Sequence, residues 1–391
     1  MSDDVKNIKE EVVKKVDEIS DRLREIGHKI HQNPELLFEE HKAAKWLTEE
    51  LENNGFDVER NVAGMETAFR ATCPTSSEGP KIAYLCEYDA LPGLGHGCGH
   101  NLIAVIGLGA GLALCSVMDE LNGTVEVIGT PAEEGGGGKI EMVDAGVFDD
   151  LDAAMMVHPS SNTLVGRGSL AIQEVEMNFY GESAHASAEP EEGINALDAV
   201  ISTFNNINAF REHMKDGARI HGVIEDGGEK PNIVPDHASA RFYVRAAERD
   251  YMNELMERVE NCAKAGALAA GADLEFEKQG HSYEPMAPNP ILVDLFENNI
   301  TSLGEELDEY EGGMGSTDMG DVSQTVPAIH GYIDITEGEV PGHSPGFVEA
   351  SDSEKGYKGM ETAAKTLAMI GVDVLSDDEL VKKMWEEFKN R

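Results

Sequence analysis

Hydrophobic residues near the start of the chain recur three or four positions apart: Val16, Ile19, Leu23, Ile26 and Ile30. This spacing predicts a helix with one buried face, which Asn33-Pro34 ends. A second helix is predicted from Glu39 to Asn54. Further along, short apolar runs between turn residues predict three buried strands, and a run rich in Ala, Gly and Leu predicts a helix. The strands are Lys81–Cys86, Thr124–Gly129 and Ala153–Val157, and the helix is Leu102–Met118.

Strands that alternate with helices favour a parallel sheet, but the pattern changes near residue 172. The order becomes β-α-β-β-α-β, with strands Glu174–Tyr180, Arg219–Glu225, Ala238–Ala246 and Asp273–Lys278 and helices Ile194–Met214 and Asp250–Ala270. We therefore predict an α/β catalytic domain, residues 1–172 and 288–391, whose mixed, mostly parallel sheet is flanked by helices. It is interrupted by an inserted α+β, ferredoxin-like domain, residues 173–287.

The charge of the chain limits its partners. The 74 acidic residues outnumber the 31 basic ones and give a net charge of −43, which argues against nucleic acid and anionic membranes. The acidic residues are spread along the chain, so we expect a solvated, halophilic surface. No apolar run is long enough to span a membrane. The charged N-terminus lacks the apolar core of a secretory signal, which favours a cytoplasmic location.

The five cysteines are odd in number and irregularly spaced, so no disulfide framework is expected. Four of them are predicted to pack as small buried hydrophobes: Cys73, Cys86, Cys115 and Cys262. Cys98 differs, because a single glycine separates it from His100. A thiolate and an imidazole at this spacing can reach one metal ion. His96 is a rival ligand in the same loop, and Asp89, after the strand ending at Cys86, can ligate a metal or orient a ligand histidine.

Glu133 and Glu134 lie between a predicted strand and four glycines. In a strained turn, such neighbours can point different ways, one to a metal and one to a water. This supplies a ligand beside a general base, as metal-assisted hydrolysis needs. His158 and His343 are isolated histidines, and each becomes a candidate metal ligand only in combination with Cys98, His100 and Glu134. Five candidate ligands suit two ions that share a bridge: Cys98, His100, Glu134, His158 and His343.

Several motifs together resemble one family. They are IHQNPELLFEE, EYDALPGLGHGCGHNLIA, GTPAEEGGGGKI, HPS at 158–160, NALDA, HGVIEDGGEKPNIVPD and GSTDMGDVS. The chain resembles peptidase family M20, in the amidohydrolase branch that includes aminobenzoyl-glutamate and auxin-conjugate hydrolases, and within it the β-alanyl-lysine dipeptidase-like subgroup. The resemblance implies a homodimeric, metal-dependent amidohydrolase. Its substrates would be dipeptides or N-acyl amino acids with a free carboxylate.

The resemblance also implies roles for individual residues. Cys98 would bridge two divalent ions, the other four ligands would complete the set, Glu133 would be the general base, and Asp89 would support the ligands. His185 of the inserted lid and dimerisation domain would enter the partner subunit's active site. The substrate carboxylate would be held by Asn232, Arg245, Gly315, Ser316 and Thr317. Zinc is the favoured ion, and manganese or cobalt also fit these ligands. The alternative is an inactive metal- or ligand-binding protein on the same fold, but such a protein would not need Glu133.

Overall fold

The computed structural model describes residues 3–75, 77–309 and 314–391. The chain divides into two compact units. The first comprises Met1–Gly168, Met286–Gly312 and Asp318–Arg391, and the second comprises Ser169–Pro285 and Gly313–Thr317. The sequence motifs that carry candidate metal ligands all belong to the first unit.

The first unit opens with helix α1, which ends two residues before Asn33 because that residue and Pro34 break the helical pattern. The elements are α1 (Asp3–His31), α2 (His41–Asn53), β1 (Asp57–Arg60), β2 (Phe69–Thr72), β3 (Lys81–Cys86), α3 (His100–Cys115), β4 (Thr124–Gly129), α4 (Gly138–Asp144) and β5 (Ala153–Ser160). Strands β3 and β4 have the predicted bounds. Strands β1 and β2 were not predicted. Strand β5 runs three residues beyond its predicted end, so His158 lies within the strand rather than after it.

The second unit has the predicted order of strands and helices. Its elements are β6 (Ala171–Tyr180), α5 (Ala196–Phe210), β7 (Arg219–Asp226), β8 (His237–Ala246), α6 (Arg249–Ala270) and β9 (Asp273–Tyr283). The strands form an antiparallel sheet in the order β7-β8-β6-β9. Alternate residues of β6, namely Val175, Met177 and Phe179, are buried in one core with residues of α5 and α6.

The chain then returns to the first unit with further helices and a strand. These are α7 (Pro290–Ser302), α8 (Met319–Thr325), β10 (Ala328–Asp334), α9 (Pro345–Ala350), α10 (Glu354–Leu375) and α11 (Asp378–Lys389). Along the chain as described, no helix is both long and apolar enough to cross a membrane.

The sheet of the first unit has the order β1-β2-β4-β3-β5-β10. Strands β4, β3, β5 and β10 are parallel, whereas β1 and β2 are antiparallel to their neighbours. Tyr84 of β3 belongs to a core with α1, α3 and α10, while Leu85 belongs to a core with α4 and α8 on the opposite face. The predicted mixed, mostly parallel sheet flanked by helices is therefore confirmed.

Two cysteines depart from the prediction that four of them pack as free buried thiols. Cys73 and Cys115 form a disulfide, with Cα atoms 5.8 Å apart. Cys73 follows β2 and Cys115 ends α3, so the pairing depends on a strand too short to be recognised in the sequence. Cys86 is a buried free thiol as expected, and Cys262 is a free thiol of intermediate burial.

Candidate active site

Three of the five candidate ligands converge at the carboxyl ends of the parallel strands, where ligands bind in open α/β sheets. One donor atom each from Cys98, His100 and Glu134 lies within 4.8 Å of the other two. Cys98 lies in the loop before α3, and His100 is the first residue of that helix. Glu134 lies in the turn after β4. Sulfur, nitrogen and carboxylate oxygen at this separation suit a divalent transition metal ion.

Asp89 orients one ligand and the turn that carries another. Its Oδ1 lies 2.8 Å from Nδ1 of His100, and its Oδ2 accepts the backbone N–H of Glu134 at 2.9 Å. Nε2 of His100 is thereby left facing Oε1 of Glu134 at 3.8 Å. Both of these buried atoms lack a hydrogen-bond partner within the described ranges, as expected of atoms that hold a metal ion. A carboxylate behind a ligating histidine is common in metal sites.

Charge also connects Asp89 and His100. Although burial acts in the opposite direction, the charge and hydrogen bond of His100 hold the pKa of Asp89 below its usual value. Burial and the carboxylate of Glu134 raise the pKa of the Cys98 thiol. A metal ion takes up cysteine as the thiolate, so binding here is expected to release a proton.

The other two candidate ligands lie beside this trio. Nδ1 of His158 lies 2.6 Å from the carbonyl oxygen of Pro159, which leaves Nε2 for a metal. The ring centroids of His158 and His100 are 5.7 Å apart. Nε2 of His343 lies 3.8 Å from Oε2 of Glu134. His343 has a left-handed backbone, with φ of 57°, and its N–H donates to the carbonyl of Gly97 at 2.9 Å.

The turn after β4 holds Glu133 and Glu134 side by side. Ala132 has a φ of 61°, and its carbonyl accepts the N–H groups of Gly136 and Gly137 at 3.0 and 2.8 Å. Burial, together with the carboxylates of Glu87, Asp318 and Glu134, raises the pKa of Glu133 well above its ordinary value. A carboxylate with a raised pKa is a better general base near neutral pH.

A buried cluster of charges, which was not predicted from the sequence, lies beside this turn. The Lys139 ammonium, which has no exposed surface, pairs with Glu87 and lies 2.6 Å from Oδ1 of Asp318. Oε2 of Glu87 lies 3.5 Å from Nε2 of His100. Lys139 and Asp318 stand within the quoted motifs GTPAEEGGGGKI and GSTDMGDVS, but a motif does not tell which of its charges is buried.

His330 was also missed. It lies on β10, and its imidazole stacks on Tyr332 with ring centroids 4.9 Å apart and lies 5.7 Å from His158. Burial, together with His158 and Lys139, lowers the pKa of His330 well below its ordinary value, which keeps the ring neutral. The pairing of Tyr332 with His158 across β5 and β10 sets this arrangement, and the sequence alone does not reveal that register.

His185, predicted to be catalytic, and the predicted substrate-binding residues lie in the second unit, at two separate ends of its sheet. Nη1 of Arg245, near the end of β8, donates to Oγ of Ser316 at 3.3 Å. The carbonyl of Gly315 accepts the N–H of Leu170, and Thr317 is buried. His185 and Asn232 are exposed and lie beyond the other end of β8, where the N–H of Ala186 donates to the carbonyl of Asn232 at 3.1 Å.

Strand length separates these two groups. Arg245 lies eight residues after His237, the first residue of β8, which corresponds to about 26 Å at roughly 3.3 Å per residue. Backbone hydrogen bonds continue past His237 toward Asn232, including one from Gly181 to Asp236. The second unit therefore does not bring His185 and Asn232 together with Arg245.

Known proteins are similar to this chain in sequence and in fold. Residues 86–366 match the protein family described as "Peptidase family M20/M25/M40". The chain is 38% identical to the Xaa-Arg dipeptidase of Mus musculus over 98% of this chain and 92% of that protein. It is 31% identical to a polypeptide of the p-aminobenzoyl-glutamate hydrolase of Escherichia coli strain K12, over 94% of this chain and 92% of that polypeptide.

Solved structures have the same fold. A putative aminohydrolase from methicillin-resistant Staphylococcus aureus matches with a TM-score of 0.79 at 21% identity, covering 94% of this chain and 100% of that one. A Bacillus subtilis protein described as a dinuclear metal binding peptidase from the M20 family matches with a TM-score of 0.71 at 22% identity, covering 92% and 99%.

The fold and the sequence matches together define a metal-dependent hydrolase of amide bonds. The chain belongs to peptidase family M20/M25/M40.

Proposed function

We propose that the chain is a dipeptidase or N-acyl amino acid hydrolase that cleaves the amide bond next to a free carboxylate and uses two divalent ions. The convergence of Cys98, His100 and Glu134 beside Glu133 carries this proposal. The names of the relatives, a dipeptidase and an aminobenzoyl-glutamate hydrolase, fit the same substrate class.

The ions would be held by the trio and the two histidines beside it: Cys98, His100, Glu134, His158 and His343. Zinc suits the thiolate and the imidazoles, and manganese and cobalt also accept these ligands. When bound, two such ions polarise the scissile carbonyl and lower the pKa of water.

Glu133 is the proposed base. It accepts a proton from the attacking water and passes that proton to the leaving amine. Asp89 keeps His100 in one orientation through the 2.8 Å contact at Nδ1. Lys139 pairs with both Glu87 and Asp318 beside the base.

We further propose a homodimer in which His185 and Asn232 act on the substrate held by the partner subunit. The separation of about 26 Å along β8 supports this assignment, because one substrate cannot touch both ends of that strand. Arg245 and the Gly315–Thr317 loop would hold a substrate carboxylate, as the resemblance implies. Strand β7 is one of the two edge strands of its sheet and leaves Val223 and Ile224 exposed by 60% and 45%, so it suits pairing with a second copy.

Measuring the mass in solution tests the dimer. Ile224→Lys on the edge strand should yield a monomer with little activity. Leu268→Lys is the matched control, because Leu268 is 84% exposed but lies on helix α6. A fully active monomer would contradict the role assigned to His185.

A pooled-substrate assay tests the reaction. Metal-loaded protein is incubated in molar salt with mixed dipeptides and N-acyl amino acids, with and without a chelator, and released amino acids are identified by mass spectrometry. Chelator-sensitive release is expected. Two bound ions without any release would instead favour a binding protein.

The cytoplasmic location remains a prediction. The Cys73–Cys115 pair offers a test of it, because disulfides are rare in reducing compartments. Thiol labelling in intact cells measures whether these two cysteines are free or paired.

A further inference from the structure

Glu40, the last residue of the IHQNPELLFEE motif, has no part in the reaction proposed above, yet its carboxylate is fully buried. It accepts three hydrogen bonds. Oε1 accepts the backbone N–H groups of Phe38 at 3.0 Å and of Ala132 at 2.9 Å, and Oε2 accepts the hydroxyl of Thr67 at 2.9 Å. Ala132 is 92 residues away along the chain, so this is a tertiary contact.

The two backbone donors share an unusual conformation. Phe38 has a φ of 62° and Ala132 a φ of 61°. This left-handed region is unfavourable for residues that carry a Cβ atom, and such residues persist only where their surroundings hold them. A single carboxylate oxygen thus binds the N–H groups of two residues in this conformation.

Ala132 directly precedes the pair Glu133 and Glu134. The other end of the same turn is held by Asp89, which accepts the N–H of Glu134 at 2.9 Å. The Phe38 ring packs against the turn. A Cβ atom added at Gly136 would lie 2.6 Å from that ring and 2.6 Å from the Cβ of Ala132. The segment that includes Glu40 therefore packs directly against the turn that carries the base.

We propose that Glu40 is a positioning residue for the proposed hydrolysis. It holds Ala132 in the left-handed conformation, so that the adjacent carboxylates of Glu133 and Glu134 point in different directions. This inference rests on the proposed function for its effect on turnover, but its effect on the turn can be measured without any substrate.

The kinetic test compares Glu40→Ala with Glu39→Ala, because Glu39 is the exposed neighbour with the same charge. We expect Glu40→Ala to lower kcat by about 30-fold or more with KM within about threefold, because the base is misplaced while the substrate contacts remain. Glu39→Ala should stay within about twofold of wild type. Glu40→Gln retains an oxygen that accepts both N–H groups and should stay within about fivefold.

A second substitution distinguishes positioning from a general loss of folding. Glycine adopts a positive φ without steric cost, so Ala132→Gly should reduce the dependence on Glu40. The double variant Glu40→Ala/Ala132→Gly should recover about tenfold in kcat over Glu40→Ala alone. No recovery in a double variant that is folded by circular dichroism would overturn the inference.

Hydrogen–deuterium exchange gives the readout that needs no activity. Peptides covering residues 130–138 should exchange faster in Glu40→Ala than in wild type and remain unchanged in Glu39→Ala. Equal exchange in all three proteins would overturn the inference, whether or not the wild type hydrolyses dipeptides. A wild type without chelator-sensitive activity would refute the proposed function alone, and exchange would still decide the role of Glu40.

Discussion

Replacing Lys139 with methionine removes the ammonium that lies between two buried carboxylates and keeps a side chain of similar length. Lys139 and Asp318 have no exposed surface, and Glu87 is 1% exposed. Burial raises the pKa of Asp318 to about 6 even though Lys139 acts in the opposite direction. Without that ammonium, the carboxylates of Glu87 and Asp318 lose the cation that pairs with both of them.

The size of the effect follows from the burial. Removing one partner of a buried ion pair costs about 3–5 kcal/mol, because it leaves an uncompensated charge. We therefore expect Lys139→Met to lower the free energy of unfolding by about that amount at pH 8. Adding Asp318→Asn should recover part of the loss, because one of the two charges is then removed. The loss should also shrink as the pH falls and Asp318 becomes protonated, because protonation relieves the remaining repulsion.

The assay is urea unfolding at fixed salt, at pH 8 and again below pH 6. Lys382→Met is the matched control, since the Lys382 side chain is 65% exposed and pairs with Glu379 on the surface. The control should change stability by less than about 1 kcal/mol. The reasoning fails if Lys139→Met behaves like the control, or if the double variant with Asp318→Asn is less stable than the single variant.

Three further predictions concern stability. The Cys73–Cys115 disulfide closes a 42-residue separation, so Cys73→Ser/Cys115→Ser should lose about 4 kcal/mol of unfolding free energy, and equal stability would contradict the bond. Burial raises the pKa of Glu40 from 4.5 to about 7. The free energy of unfolding of wild type should therefore fall by up to about 3 kcal/mol relative to that of Glu40→Gln as the pH rises between these two values. A difference in unfolding free energy that does not depend on pH would contradict this. Because salt screens the repulsion within a chain of net charge −43, the urea concentration at the unfolding midpoint should rise between about 0.1 M and about 1 M salt. A midpoint that does not change with salt would contradict this self-repulsion.

The fold was predictable where burial leaves a pattern in the sequence. Strands β3 and β4 are apolar runs between turn residues, and their predicted bounds agree with the structure. Strands β1 and β2 have four residues each and are only partly buried, so they resemble loops. The Cys73–Cys115 bond was missed for the same reason, since it depends on where β2 ends.

The candidate site was predictable as far as residue type and position after a strand allow. Cys98, His100 and Glu134 lie after or between predicted elements, and parallel strands bring such positions to one edge. Glu40 and Asp318 could not be recognised as buried residues. The chain has 74 acidic residues, and the sequence does not distinguish a buried carboxylate from a solvated one. The conformation of Ala132 likewise depends on a tertiary contact.

The central claim is that Glu133 is the base beside a cluster that holds divalent ions. Glu133→Gln tests it most directly, with metal content and dipeptide turnover measured on the same protein. The account predicts the same two ions per chain as wild type and a loss of turnover of about 10²–10⁴-fold. Turnover within about tenfold of wild type, with the ions still bound, would contradict it.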